Sequence, residues 1–133
     1  MVLETLANQT FPADQFEVIV VLDGCTDGSN DMLREFSTPF ALRMIEQEPQ
    51  GASVARNQGA KQAVGKLLIF LDDDIEVTPG FIQAHANAHQ DFDNLVIIGY
   101  CPALLRQNTY FSLELKGWWE AMYRSMGQPG HRF

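Results

Sequence analysis

The sequence predicts an α/β domain in which a mainly parallel, twisted sheet carries helices on both faces. The runs 16–22 and 66–71 are continuously apolar, as is typical of strands that helices cover on both sides. Acidic residues follow each run directly, and segments with helical spacing separate the apolar runs. The 133 residues, 46% of them hydrophobic, suffice for one core, so we expect a single domain over 1–133.

Strands and helices are expected to alternate along the chain. The expected strands are 16–22, 41–46, 66–71 and 95–101, and the expected helices are 2–9, 30–36, 51–64 and 79–89. Ser29 is suited to cap the second helix with its hydroxyl, and Gly65 to end the third. Thr78 followed by Pro79 is typical of a cap and a first helical position, which opens the fourth helix.

Three successive aspartates, Asp72, Asp73 and Asp74, follow the strand expected at 66–71. Three adjacent carboxylates repel one another unless a cation or solvent relieves them. Carboxylate oxygens suit Mg²⁺ or Mn²⁺, and Mg²⁺ often binds through one or two carboxylates together with substrate phosphates. The run therefore indicates a metal site, with a solvated acidic turn as the alternative that the run alone leaves open.

A second polar segment follows the strand at 16–22 and begins with Asp23. In open α/β sheets, ligands bind in the crevice outside the carboxyl ends of the strands. Two parallel strands would bring Asp23 and residues 72–74 to the same edge, so we expect one site there. Thr26 and Asp27 are expected to shape the loop through bonds from side chain to backbone.

Composition and charge narrow the choice of partner and compartment. The net charge of −8 argues against nucleic acid as the main partner, and the nine Lys and Arg residues form no polybasic block. Cys25 and Cys101 suit a reducing compartment, and the longest apolar runs have only the length of strands. We therefore expect a cytoplasmic protein, with the cytoplasmic face of the membrane as an open alternative for the full-length protein.

Taken together, the motifs resemble those of family 2 glycosyltransferases of the GT-A fold. The matching stretches are 6–10, 16–29, 51–59 and 70–79, which follow the family's order and cover about residues 3–82. The resemblance implies a Rossmann-like GT-A domain that lacks the usual first strand, which in the family lies in the interior of the sheet. The catalytic base is expected beyond Phe133. The chain thus looks like the nucleotide-sugar-binding portion of an enzyme, truncated at both ends.

The resemblance also implies roles for individual residues. Nucleotide binding falls to Asp23, Gly51, Arg56, Asp72 and Asp73, and metal binding to Asp74 and Asp72. In this scheme Asp23 would bond the base, Arg56 would lie near the nucleotide, and Asp72 would be directed to the ribose. Asp74 would hold the Mn²⁺ or Mg²⁺ that bridges the diphosphate, and Gly51 would allow close approach of the backbone.

The activity implied by the resemblance is metal-dependent inverting transfer of a sugar from a nucleoside diphosphate sugar to an acceptor hydroxyl. A UDP-sugar is favoured as donor, and a saccharide or a lipid-linked molecule is expected as acceptor. We expect this chain alone to be inactive because no catalytic base is visible in it. Two alternatives stay open: a non-catalytic module that binds a nucleotide or partner, and a haloacid-dehalogenase-like phosphatase with Asp72 as nucleophile and Asp74 as acid.

The segment 109–126 is rich in aromatic residues and is expected to be a helix that leads toward a missing C-terminal part. A packing helix is the favoured interpretation, since its charges mark no strongly cationic face. A helix at an acceptor site or a membrane interface is the alternative. Trp118 and Trp119 also make a homodimer an expected option.

Overall fold

In a computed structural model of the chain, the structure describes residues 1–91, 94–101, 116, 118 and 120–124. Contacts divide the chain into two compact units, Met1–Asn94 and Leu95–Phe133. The expected single domain over 1–133 stays a prediction.

The first unit has the predicted alternation of helices and strands over most of its length. Its elements are α1 (Val2–Ala7), a 3₁₀ helix (Ala13–Gln15), β1 (Glu17–Asp23), α2 (Ser29–Glu35), β2 (Ala41–Gln47), α3 (Ala52–Gln62) and α4 (Phe81–Ala88). The bounds of β1 and β2 agree with the expected 16–22 and 41–46 to within one residue. Both strands are read correctly because apolar runs end where acidic or polar residues begin.

β1 and β2 form a parallel pair whose register runs from Glu17 opposite Ala41 to Asp23 opposite Gln47. Val18, Val20 and Leu22 of β1 and Leu42 and Met44 of β2 face the core, to which α1, α2 and α4 contribute apolar side chains. The buried members of this core are Leu3, Leu6, Leu22, Leu33, Phe40 and Ile82.

α3 covers the opposite face of the sheet. A Cβ atom added at Gly59 of α3 would lie 3.4 Å from Cγ2 of Val21, an odd-numbered residue of β1. Below the end of α3, Glu17 accepts a hydrogen bond of 2.8 Å from the Val64 N–H and pairs with Arg43 at 2.6 Å. Arg43 also donates to the carbonyl of Gln62. The predicted parallel α/β architecture with helices on both faces is therefore confirmed.

The prediction of a strand at 66–71 is wrong, because the segment forms no strand in the structure. Leu67, Ile69 and Leu71 are half-buried, whereas Leu68 and Phe70 are 46% and 57% exposed, so one side of the segment faces solvent. A strand is defined by a hydrogen-bonded neighbour, and among the described residues the sheet consists of β1 and β2 only. The apolar run therefore ends in a turn that holds the three aspartates, without itself joining a ladder.

Two predicted helix starts and one helix end are also corrected. Gly28, in the left-handed region with φ +85°, precedes α2 as its N-cap. Ser29 is the first residue of α2 and not its cap; its hydroxyl donates to Asp27 Oδ1 at 2.6 Å, and its N–H donates to the same oxygen at 3.1 Å. This confirms Asp27 as a residue that shapes the loop. α3 ends at Gln62, so Gly65 does not terminate it.

α4 begins at Phe81 rather than Pro79, and its first turn is capped by Gln9, which lies just beyond the end of α1, instead of by Thr78. The Gln9 side chain accepts a hydrogen bond from the Ile82 N–H at 3.0 Å and donates to the Thr78 carbonyl at 2.8 Å. The Thr10 N–H and hydroxyl both donate to the Pro79 carbonyl, at 2.8 and 3.0 Å. The loop that follows α1 thus holds the segment that follows the three aspartates.

In the second unit, the strand predicted at 95–101 is wrong. The segment has no regular structure, and Val96, Ile98 and Tyr100 are 88%, 62% and 61% exposed. No strand lies beside it in the described part of the chain, so Val96, Ile98 and Tyr100 are not covered by a sheet. The Tyr100 ring packs edge-on against Tyr123, with centroids 5.0 Å apart.

Residues 116, 118 and 120–124 are helical, in agreement with the expected aromatic-rich helix at 109–126. Lys116 and Glu120 form an ion pair at 3.7 Å, one turn apart, and Trp118 is 59% exposed. The rest of that predicted helix, including Trp119, lies outside the described residues. Across the described ranges, no helix has the length and apolar character needed to cross a bilayer.

Candidate functional site

Asp23 is the last residue of β1, and its side chain forms hydrogen bonds with the loop that joins β2 to α3. Its Oδ1 accepts hydrogen bonds from the Gln50 N–H at 2.7 Å and from Gln47 Nε2 at 2.8 Å. Its Oδ2 accepts one from the Gly51 N–H at 2.7 Å. The Asp23 side chain therefore connects the ends of two neighbouring strands with the residue that precedes α3.

These donors hold the pKa of the Asp23 carboxyl below its usual range. The Gln50 N–H has the largest effect and the Gln47 amide the next, while partial desolvation opposes both. Asp23 is thus a carboxylate at neutral pH. A carboxylate has about four acceptor positions, of which the protein uses three, so one on Oδ2 is left for a ligand N–H.

Two glycines give the loops around Asp23 their shape. Gly51, the N-cap of α3, has φ +91°, and Gly24 has φ +69°. A Cβ atom at Gly24 would lie 2.3 Å from Cγ of Pro49, whereas one at Gly51 would meet nothing within 4 Å. Gly24 therefore lets the loop after β1 press against the loop after β2. At Gly51 the backbone is open to approach, as expected.

An open groove of about 550 Å³ lies between these two loops. Cys25, Thr26 and Asn30 line one side, and Gln47 and Pro49 line the other. Asn30 Oδ1 and Gln47 Oε1 are buried acceptors that find no donor within the described part of the chain. The groove wall thus holds two acceptors, beside a carboxylate with one free acceptor position.

Arg56 and Asp72, two residues predicted for the same site, form an ion pair. Arg56 lies on α3, Asp72 follows the apolar segment 66–71, and Arg56 Nη2 is 2.5 Å from Asp72 Oδ1. The two side chains are 49% and 58% exposed, so solvent screens the pair and its contribution to stability is about 0–1 kcal/mol. The pair therefore joins a cation and a carboxylate that are both accessible to a ligand.

Asp73 and Asp74 are exposed in the turn that follows. Over the described residues, no three His, Cys, Asp or Glu side chains are grouped closely enough to hold a metal ion. The donor chemistry nevertheless fits Mg²⁺ or Mn²⁺, which often take one or two protein carboxylates and complete their coordination with phosphate oxygens and water. Asp74 and Asp72 are the residues that would hold such an ion.

The structure thus brings four of the predicted residues together in two pairs, Asp23 with Gly51 and Arg56 with Asp72. α3 belongs to both pairs, because Gly51 caps its start and Arg56 lies within it. Sequence reasoning missed Gln47 and Gly24. The only sequence signal for Gly24 is its position directly after the aspartate that ends β1. No sequence signal pointed to Gln47, because its role depends on the register that sets it opposite Asp23.

The family model described as Glycosyl transferase family 2 matches residues 2–130. Glycosyltransferase AglE of Haloferax volcanii is 42% identical over 74 residues, which are 54% of this chain and 24% of that protein. Uncharacterized glycosyltransferase YfnE of Bacillus subtilis is 37% identical over 93 residues, 69% of this chain and 24% of its own length.

Validoxylamine A glucosyltransferase of Streptomyces hygroscopicus subsp. jinggangensis is 37% identical over 102 residues, 74% of this chain and 24% of that protein. The chain therefore spans about a quarter of the length of these curated relatives. No solved structure matches the chain.

Proposed function

The chain belongs to glycosyl transferase family 2, and from this we propose that it is the donor-binding part of a metal-dependent, inverting glycosyltransferase. The observation that carries the proposal is the Arg56–Asp72 ion pair, which unites two predicted donor ligands from different elements at 2.5 Å. The donor is a nucleoside diphosphate sugar, with UDP as the favoured nucleotide. Membership in this family argues against the haloacid-dehalogenase-like alternative.

In this proposal, Asp23, Arg56 and Asp72 bind different parts of the donor. Asp23 has one acceptor position left on Oδ2, which suits the ring N–H of uracil. The Arg56 guanidinium suits the diphosphate, since its planar fork of N–H donors matches phosphate oxygens. Its pairing with Asp72 is a single contact of Nη2 with Oδ1. Transfer of Arg56 from Asp72 to phosphate would leave the Asp72 carboxylate to the ribose or to a cation.

Mn²⁺ or Mg²⁺, held by Asp74 and Asp72, would supply Lewis-acid stabilisation of the charge that develops on the leaving diphosphate. The exposed turn at Asp73 and Asp74 has room for this, and the segment behind it is fixed by Gln9 and Thr10. The Arg56 cation would reinforce the same stabilisation. The chain's own residues thus bind and orient the donor and balance the charge of its leaving group.

Inverting transfer also needs a general base that takes the proton of the acceptor hydroxyl during attack on the anomeric carbon. We assign that base to a region beyond Phe133, and the acceptor to a saccharide or a lipid-linked molecule. In this proposal the 133-residue chain binds donor but does not transfer sugar. The cytoplasm and the homodimer remain the expected location and assembly.

Calorimetric titration of the chain with UDP and Mn²⁺ tests donor binding at the Arg56–Asp72 pair. Arg56→Ala removes the cation and is expected to weaken binding about 10- to 150-fold, from the loss of a charged hydrogen bond of about 1.5–3 kcal/mol. Arg34→Ala is the matched control, because Arg34 forms a similarly exposed pair with Glu46 at 3.1 Å. Equal affinities for the two variants would refute the assignment of Arg56.

A further inference from the structure

In the side chain of Gln47, only one of the two polar groups has a hydrogen-bond partner among the described residues. Its Nε2 donates to Asp23 Oδ1 at 2.8 Å, while its Oε1 is buried with no donor among the described residues. A buried acceptor without a partner is destabilising, and an apolar side chain of the same shape at this position would avoid that cost. Places where a sequence breaks a local rule of this kind are often functional.

The hydrogen bonds of the Gln47 backbone and side chain limit the roles that this residue can have. Its backbone is fixed, since it lies opposite Asp23 in the parallel register and its carbonyl accepts the Gly24 N–H at 2.9 Å. Among the described residues, the one polar contact of its side chain is therefore with the Asp23 carboxylate. With the Gln50 and Gly51 N–H groups, it fixes the carboxylate plane on both oxygens and leaves the last acceptor position on Oδ2.

We propose that Gln47 is a positioning residue, which orients the Asp23 carboxylate toward the N–H group of the donor's base and keeps it from rotating when the donor is absent. The inference rests on the proposed donor function. Gln47 acts through Asp23 and needs no contact with the donor. Its amide donor selects one orientation of the carboxylate, which lowers the entropy that binding would otherwise cost.

The test replaces Gln47 with a side chain of similar length that has no amide. Gln47→Met removes the donor to Asp23 and also the unpaired acceptor, so the thermal midpoint should stay the same or rise. Its affinity for UDP with Mn²⁺ should nevertheless fall at least fivefold. Gln15→Met makes the same chemical change at an exposed position before the start of β1, and should leave affinity unchanged.

Gln47→Glu sharpens the test, because it keeps the shape of the side chain but sets a second carboxylate against Asp23. Its affinity for UDP should be lower than that of Gln47→Met. The pKa of the Asp23 carboxyl, followed by NMR titration without ligand, should rise in Gln47→Met and rise further in Gln47→Glu, since one variant loses a donor and the other adds a like charge.

The results separate this inference from the donor function. An Asp23 pKa that is the same in Gln47→Met as in the unsubstituted chain would overturn the positioning role, whatever the chain binds. A loss of affinity that follows a fall in the thermal midpoint would show a merely structural role and would also overturn it. If the unsubstituted chain binds no UDP, the donor function fails, and the Asp23 pKa alone decides whether Gln47 controls the carboxylate.

Discussion

Gly24→Ala should destabilise the chain more than Gly28→Ala, although both glycines lie in the left-handed region, with φ +69° and +85°. The expected difference in stability arises from Pro49, which lies close to Gly24 and not to Gly28. A Cβ atom at Gly24 would lie 2.3 Å from Pro49 Cγ and 2.8 Å from its Cδ, whereas one at Gly28 meets nothing within 4 Å. The Pro49 ring cannot swing away as the tip of a flexible side chain can, so the loop itself has to move.

The magnitude follows from two contributions. A residue with a Cβ atom in the left-handed region costs about 1–2 kcal/mol, and both variants incur that cost. Overpacking adds about 1–3 kcal/mol at Gly24 only. We therefore expect a loss of about 1–2 kcal/mol for Gly28→Ala and about 2–5 kcal/mol for Gly24→Ala.

Urea unfolding followed by circular dichroism measures this difference. With an m-value of about 2 kcal/mol per molar urea, the midpoint of Gly24→Ala should lie about 0.5–1.5 M below that of Gly28→Ala. The m-values should agree, because neither change alters the surface exposed on unfolding. Equal midpoints for the two variants would refute the close packing of Gly24 against Pro49, and with it the geometry of the groove.

Three further predictions concern other parts of the first unit. Arg56→Ala should change the free energy of unfolding by less than about 1 kcal/mol, because the ion pair with Asp72 is exposed; a larger loss in urea would mean that the pair is structural. The Val64 N–H, with Arg43, holds the pKa of Glu17 below its usual range. That stabilisation is present at neutral pH and is lost as pH falls below about 4, through the lowered pKa. Glu17→Gln should therefore reduce the fall in urea midpoint between pH 7 and 3, and an identical fall would contradict the prediction. Gln9→Ala should cost about 1–2 kcal/mol and accelerate amide exchange at Ile82, which loses its cap. Gln15→Ala should stay within about 0.5 kcal/mol, and equal losses at Gln9 and Gln15 would exclude the cap.

The sequence predicted β1 and β2 because the signals for these strands are local. An apolar run that ends in Asp23 marks the carboxyl end of a strand without reference to the rest of the fold. The segments 66–71 and 95–101 carry the same local signal but form no strand. Pairing with a neighbour is a property of the whole chain, and apolar character alone does not supply it.

The features that the sequence missed at the site depend on distant residues. The start of α4 is set by Gln9, which lies 73 residues from Ile82 in the chain. The contact of Gln47 with Asp23 depends on the register between β1 and β2. The resemblance placed Arg56 and Asp72 in one site, but only the structure shows that the two side chains pair with each other.

The central proposal, a metal-dependent donor site, is tested most directly by calorimetric titration of the chain with UDP, with and without Mn²⁺. The unsubstituted chain, Asp74→Asn and Asp14→Asn should be compared, with Asp14 as an exposed control before the start of β1. We expect binding that requires Mn²⁺, is lost in Asp74→Asn and is retained in Asp14→Asn. Absence of binding by the folded chain, or binding by Asp74→Asn as tight as that of the unsubstituted chain, would contradict the proposal.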